Sequence, residues 1–556
     1  MNIEQIRKAA EAESFYLNDD SYFRILVASL SYDRTVATLL NSFQDAVDEG
    51  GLRAKVIRTG SFGYYDLEPI VVIEIPDSSA VIYHNVNPDD VPHLIGSCLT
   101  ENTRMRDRVL CRIGNKKVND LPLISDLALF KLQSRIALRN CGWIDPDNIN
   151  HYIVREHGYT GLSRALEMEK GELLNILLES ALKDPSEFGG STANTWKRFY
   201  ESKEADKYLL CNATDIDPKA LTAQLLLESD PHSVLEGILI SAFAVSASRS
   251  FIFVKEGSKS VRRIKKALEE MRAYNLLGPN ILNSHFTSEI EIREIPAASS
   301  SGYETEWFRC IEEKQPVPHM HPTYAAPGEF YLKPAAITSP EVLSKLSAGP
   351  GGSTEQARGS KVVTLSGHVI HKYTVEVDFD MTIRGIVNEI GGGTIGRKAV
   401  KAAKLGGPAG VFIAAGQFDN SLKCVVDEES NSNFCLGSIE VFDSDTCMVN
   451  AAKEIVSYIQ AQSCGRCSFC REGSLQMLTV LEDIAEHKGR PQDLELLTDL
   501  GTAMKTACLC AFGRAAPDPV LSSIKLFRSE YDEFIKRSPF SVQISPSITS
   551  TLNAEP

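Results

Sequence analysis

The chain has 556 residues, 43% hydrophobic and 24% charged, with 58 basic against 73 acidic side chains and a formal net charge of −15. That length is too great for one hydrophobic core and predicts roughly three to five domains. The acidic balance argues against nucleic acid or an anionic membrane surface as the main partner. The opening stretch MNIEQIRKAAEAESFYLNDD is too polar for a secretory signal. The longest apolar run, GILISAFAV at 237–245, is too short to span a bilayer and reads as a buried helix. The expectation is a cytoplasmic protein with no transmembrane segment, either free or peripheral to a larger membrane complex.

In chain order, the stretches 24–30, 54–60, 70–76 and 80–86 read as strands. Between the first two, residues 33–50 place Val36, Leu39, Leu40, Phe43 and Val47 on one helical face. Strand, helix, strand and hairpin is a thioredoxin-like order, assigned to residues 1–115. Residues 116–346 form a larger α/β region. Strands are expected at 207–215 and 250–257, and helices at 233–247 and 260–275. In the last of these Val261, Ile264, Leu268 and Met271 form the buried stripe, and the basic run reads as a solvated face. The Gly/Ser-rich stretch 347–360 reads as a linker. Residues 361–445 open with strand signals, 446–540 are helical, and the Ser/Pro-rich 541–556 reads as a flexible tail. The fold class is therefore α/β multidomain with a C-terminal helical bundle.

Of 13 cysteines, none precedes Cys98, and five fall between Cys464 and Cys510. The other eight, at 98, 111, 141, 211, 310, 424, 435 and 447, read as small buried hydrophobes. SCGRCSFCREG places Cys464, Cys467 and Cys470 two residues apart. Thiolates are soft ligands, and this spacing lets one tight turn cap three corners of an iron–sulfur cubane, with a remote cysteine closing the fourth. The next helix is expected to bury Leu475, Leu478, Leu481 and Ile484 and to aim its positive end at the cluster. The fourth ligand falls in TACLCAFGRAAPDP, where spacing does not decide between Cys508 and Cys510. A structural zinc site is the competing reading, though zinc sites usually pair two knuckles or add His.

The triplet, with CAFGRAAPDPVLSSIKLFRSEYDEFI beginning forty residues after Cys470, resembles the cluster domain of the large flavoprotein subunit of respiratory complex I. The same module occurs in diaphorase subunits of NAD-linked hydrogenases and formate dehydrogenases. The resemblance covers nearly the whole chain. KLQSRIALRNCGWIDPDNINHYI, KYLLCNATDIDP, DPHSVLEGILISAFAV and LLGPNILNS are similar to segments of the family's flavoprotein domain. Residues 361–394 look like its soluble ligand-binding β-grasp insert. The N-terminal region looks like the thioredoxin-like ferredoxin module fused to the hydrogenase and formate-dehydrogenase versions. The resemblance implies Cys510 as the fourth ligand of a 4Fe–4S cluster, with other redox subunits as partners.

The family's cofactor motifs are otherwise broken. Its glycine-rich flavin mononucleotide loop corresponds to EFGGSTANTWKRF, where Gly189, Gly190 and Thr195 survive but Asn194 and Trp196 stand in place of Pro and Gly. In the acidic flavin loop, Asn212 remains and Thr214 replaces Asp. Of the paired glutamates expected beside flavin and nicotinamide, Glu304 remains and Tyr303 replaces its neighbour. AAITSPEVLSKL replaces the Asn-Asn-Val-Glu-Thr segment. In the N-terminal module Ser61 and Tyr65 occupy cysteine places, and VASLSYDR holds no cysteine, so no 2Fe–2S cluster is expected. GGGTIGRK has Arg397 and Lys398 where a phosphate loop needs Lys and Ser or Thr, and reads as a turn. VPHMHP offers His319 and His321, read as a replacement loop rather than a metal site. Three functions are consistent with this pattern. The first is an electron-transfer subunit holding one 4Fe–4S cluster, without ordinary flavin or NADH sites. The second is an NADH:acceptor oxidoreductase whose divergent pocket uses Gly189, Gly190, Asn212 and Glu304. The third is a structural or regulatory scaffold.

Overall fold

The computed structural model describes residues 1–76, 80–100, 105–114, 121–156, 158–181, 196, 199–202, 207–214, 217–247, 249–295, 335–348, 359–428 and 437–539. Three sheets and a helical bundle follow one another along the chain. The first sheet has the order β2-β1-β3-β4-β5, from β1 (Phe23–Ala28), β2 (Ala54–Thr59), β3 (Ile70–Glu74), β4 (Val81–Tyr83) and β5 (Val109–Arg112). β1 and β2 are parallel, whereas β1–β3 and β3–β4 are antiparallel. The helix α2 (Arg34–Glu49) makes the β1–β2 crossover. Asp33 caps it by accepting from the Val36 N–H at 3.0 Å. Val36, Leu39, Phe43 and Val47 are buried, as the periodicity predicts, while Leu40 is half-buried. An additional helix, α1 (Ile3–Glu13), precedes this sheet, held at its start by a capping box of Asn2 and Gln5.

The second sheet is parallel, with order β8-β7-β6-β9: β6 (Tyr208–Asn212), β7 (Arg249–Lys255), β8 (Glu289–Ile295) and β9 (Ala335–Thr338). Helices α3 (Ile149–Glu156) and α4 (Thr160–Glu167) precede it. Between β6 and β7 runs α5 (Pro231–Val245), buried at every position but Phe243. Asp230 and Pro231 fix its start. The buried helix expected at 237–245 is thus observed. Between β7 and β8, α6 (Ser260–Ala273) buries the expected Val261, Ile264, Leu268 and Met271. One member of its basic run departs from the solvated-face reading. Arg263 is buried, because its guanidinium meets Asp147 at 3.3 Å and also donates to the Glu228 carbonyl.

The third sheet, order β11-β10-β14-β12-β13, is mixed: β10 (Ser360–Gly367), β11 (Thr374–Asp378), β12 (Val400–Leu405), β13 (Val411–Ala414) and β14 (Ser438–Asp443). Its apolar face merges with the first sheet. Leu26, Ile57, Phe62 and Tyr64 lie in one core with Val363, Leu365, Tyr373 and Val375. Backbone bonds also cross this junction, Thr374 N–H donating to the Gly63 carbonyl at 2.8 Å. The chain ends in a bundle of α7 (Met448–Gln462), α8 (Ser468–Ala485), α9 (Asp493–Ala507), α10 (Ala511–Ala515) and α11 (Asp518–Lys536). Within α8, Leu481 and Ile484 are buried as expected, but Leu475 is exposed and Leu478 only half-buried. The buried stripe runs through Cys470, Gly473, Met477, Val480, Leu481 and Ile484, rotated so that Cys470 faces inward. Among the described residues no helix is long and apolar enough to cross a membrane.

Candidate metal centre

The thiol-rich segments meet inside the bundle. Cys467 is the N-cap of α8 and Cys470 lies in its first turn. Cys508 ends α9 and Cys510 is the N-cap of α10. Those four are buried and belong to one apolar core with Met477, Met504, Phe512 and Val520, while Cys464 is half-buried at its edge. Gly465 turns the loop with φ of 72°, and Arg471 holds it by donating to the Gly465 carbonyl at 2.9 Å. The Ser463 hydroxyl lies 3.5 Å from Cys470 Sγ. Gly513 N–H donates to Cys510 Sγ at 3.4 Å, and Arg514 Nε donates to the Cys508 carbonyl at 2.9 Å.

Cys508 lies beside the triplet, its Sγ and the Cys470 Cβ being 3.2 Å and 3.4 Å from the point where a Cβ of Gly513 would sit, and its thiol interacts with those of Cys470 and Cys467. Its hydrogen bond draws the Cys470 thiol well below the ordinary value, against burial, and Ser463 adds to the effect; Cys508 is pushed up in turn. Among the described residues no three such side chains stand in a finished metal-holding arrangement. The donor set nevertheless fits a soft-metal cluster. It offers buried thiols, an apolar enclosure, and the N-terminal end of an 18-residue helix whose partial positive charge opposes the thiolates' negative charge.

Elsewhere, the candidate residues that are described are held by packing and internal hydrogen bonds. Gly189, Gly190 and Glu304 lie outside the described residues, as do Tyr303, His319 and His321. Asn212 ends β6, and its amide oxygen accepts from the Thr214 N–H at 3.1 Å and hydroxyl at 2.8 Å. That oxygen is committed to its own turn. Trp196 is fully buried in the core of the parallel sheet and its helices. In the segment 335–346, Glu341 is buried and accepts from Lys361 at 2.6 Å, Lys345 at 2.8 Å and the Val362 N–H at 2.9 Å. These bonds tie the helix after β9 to β10.

In the first sheet, Ser61 and Ser29 both donate to Glu68, the latter at 3.1 Å, and the Leu30 N–H does so at 2.9 Å. Tyr65 donates to Thr374 Oγ1 at 2.9 Å. Of the cysteines read as buried hydrophobes, Cys111, Cys141 and Cys211 are buried, and burial pushes all three thiols up. Cys424 is exposed, on the helix 422–428 whose Leu422 and Val425 are buried, and Cys447 is half-buried at the start of α7; Cys98, Cys310 and Cys435 are not described with side chains.

One buried polar network escaped the reading of the sequence. Glu236 in α5 accepts from Tyr152 Oη at 2.6 Å, Tyr159 N–H at 2.8 Å and Leu162 N–H at 2.9 Å. Tyr159 Oη meets His232 Nδ1 at 2.8 Å, and His232 Nε2 faces Glu270 at 3.4 Å. The available signal was His232 and Glu236 one helical turn apart inside an otherwise apolar helix. A polar pair there must find partners when buried.

Residues 450–534 match the family model for the NADH-ubiquinone oxidoreductase-F iron-sulfur binding region, and residues 186–328 match the Nuo51 FMN-binding domain. The chain is 34% identical over 418 residues to the NADP-reducing hydrogenase subunit HndC of Solidesulfovibrio fructosivorans, covering 73% of this chain and 84% of that protein. It is 29% identical over 403 residues to a subunit of the NADH-quinone oxidoreductase of Streptomyces coelicolor, covering 71% and 90%. A chain of the NAD+-reducing NiFe-hydrogenase in the air-oxidized state superposes with a TM-score of 0.62 at 18% identity, over 98% of this chain and 94% of that one. At that identity the structural likeness speaks for the fold alone.

Proposed function

The chain belongs to the family of the complex I large flavoprotein subunit and is an electron-transfer subunit of an oxidoreductase complex; from that premise we propose that its redox centre is one 4Fe–4S cluster on Cys464, Cys467, Cys470 and Cys510. In this reading it holds no flavin mononucleotide, NADH or N-terminal 2Fe–2S cluster. The observation that carries it is a contrast. The thiols converge in a dry core, whereas Asn212, Trp196 and Glu341, at the positions of the flavin motifs, spend their polar atoms or rings on packing. The N-terminal sheet is read as thioredoxin-like and the third sheet as a β-grasp insert, in a cytoplasmic subunit docked to other redox subunits of a membrane-peripheral assembly.

A cluster bound there supplies one-electron transfer. The residues described above would set its properties. Cys467 and Cys470 would present thiolates at the start of α8, where backbone N–H groups and the helix dipole favour negative charge. Met477, Met504, Phe512 and Val520 exclude water, and Ser463 and Gly513 supply hydrogen bonds to sulfur, all of which tune the potential of a bound cluster. The test is a count of iron, sulfide and flavin on anaerobically purified protein, with EPR after reduction. Four irons, a reducible cubane and no stoichiometric flavin are expected. One tightly bound flavin per chain, or zinc in place of iron, overturns the proposal.

The match of 186–328 to the FMN-binding domain favours a second reading, an active NADH:acceptor oxidoreductase with a divergent pocket using Gly189, Gly190, Asn212 and Glu304. NADH-driven dye reduction that is lost in Glu304→Ala would establish it.

A further inference from the structure

The bundle places Cys467, Cys470, Cys508 and Cys510 in one core beside the loop that carries Cys464, five cysteines where a cubane needs four. We propose that Cys508 is a working ligand of the cluster, able to hold the fourth corner in place of Cys510; this rests on the cluster reading above. Cys508 is fully buried and shares one apolar core with Cys467, Cys470 and Cys510. The point where a Cβ of Gly513 would sit is 3.2 Å from Cys508 Sγ and 3.4 Å from Cys470 Cβ. A missing side chain on α10 therefore opens the space in which the two cysteines face each other. Cys508 and Cys510 both have extended backbone, with φ/ψ of −66°/143° and −107°/163°. Residues two apart in extended chain tend to present side chains to the same side. The two thiols thus belong to one core, and Arg514 pins the carbonyl of the first.

The exchange requires no oxidant or reductant. With a cluster bound, Cys508 would replace Cys510 as ligand and pass its thiol proton to the Cys510 thiolate it displaces. The charge of the site is unchanged. The arrangement would give the site a spare thiol beside the tight triplet.

The experiment uses the full chain reconstituted anaerobically, with iron and sulfide per chain, the EPR spectrum of the reduced protein, and a circular-dichroism melt as readouts. Cys510→Ala should retain four irons and a reduced-cluster signal with altered g-values. Cys508→Ala/Cys510→Ala should fall to three irons or none. If Cys510→Ala melts like wild type yet loses iron as completely as the double variant, the proposal is overturned. Should Cys510→Ala fail to fold, Cys510→Ser keeps an acceptor for the Gly513 N–H. Comparing it with Cys508→Ala/Cys510→Ser then decides: more iron in the single variant supports the proposal, and equal iron overturns it. Wild-type protein that binds no iron would sink the cluster reading itself.

Discussion

Glu341 offers the sharpest quantitative test of how the segment 335–346 is held. Its carboxylate takes Lys361 Nζ at 2.6 Å, Lys345 Nζ at 2.8 Å and the Val362 N–H at 2.9 Å. Both Glu341 and Lys361 have side chains only 3% exposed. Replacing Glu341 by Ala removes the carboxylate that the buried Lys361 ammonium meets at 2.6 Å, in a low-dielectric site. Breaking one side of a buried pair costs about 3–5 kcal/mol. Since about 1.4 kcal/mol is a factor of ten, local opening should become roughly a hundredfold or more easier. Native-state hydrogen exchange followed by mass spectrometry reads this at the amides of β10 and of 340–346, against unchanged exchange in α8 and α9 as internal reference. Combining Glu341→Ala with Lys361→Met removes the ammonium as well and should recover most of the protection. An increase below about fivefold in Glu341→Ala, or a double variant no better than the single, would refute the claim that a buried ion pair clamps this junction.

Other perturbations test other junctions. His151 Nδ1 accepts from the Asp145 N–H at 3.2 Å, so the Nε2 proton faces Tyr16 Oη at 2.7 Å. Burial, with smaller contributions from Arg155 and Lys55, lowers its pKa to about 4. The neutral ring is what folding favours, so this stabilisation is present above the ordinary value near 6.5 and is lost as pH falls toward 4, by up to about 3 kcal/mol. Melting temperature should drop over that range in wild type and less steeply in His151→Gln. Glu236 shifts the other way: burial raises its pKa above the ordinary carboxyl value, although Tyr152, Leu162 and Tyr159 donate to it. The folded state then binds the proton more tightly, and stability declines as pH rises from about 4.5. Glu236→Gln should flatten that limb, whereas Glu236→Leu should cost about 1–3 kcal/mol for each donor left unpaired. A Cβ added at Gly60 would strike the Ser229 backbone, so Gly60→Ala should loosen the first sheet from the second and speed proteolysis around 50–65.

The legible parts of this chain were those decided locally. The α2 face, the α6 stripe and the nearly all-apolar α5 follow from residue spacing alone, and the structure places them within a few residues of expectation. Spacing did not reveal where a helix rotates. Leu475 has the same apolar character as Leu481 but faces solvent, because the triplet fixes Cys470 inward and the rest of α8 turns with it. Nor could sequence reveal that Arg263 leaves its basic run to meet Asp147, more than a hundred residues earlier. Glu236 was overlooked for the same reason, since its donors come from α3, α4 and the turn between them.

In the proposed reading without flavin, a position that meets no ligand must be filled or paired from within the chain, since voids and unpaired buried charges are both costly. The described positions fit that requirement in different ways. Trp196 fills core volume, Thr214 bonds to Asn212, Glu341 acquires two lysines, and Glu68 collects Ser29, Ser61 and the Leu30 N–H. The thiols of the bundle differ, since Cys467, Cys470, Cys508 and Cys510 are gathered in one core without a disulfide. As the proposed ligands of a soft metal they have a use beyond the small-hydrophobe packing that any buried cysteine supplies. On that reasoning Cys467→Ala should lose iron on reconstitution while changing the melting temperature of the iron-free chain by less than about 4 °C; equal destabilisation of iron-free and iron-loaded protein would return these residues to the role of core filler.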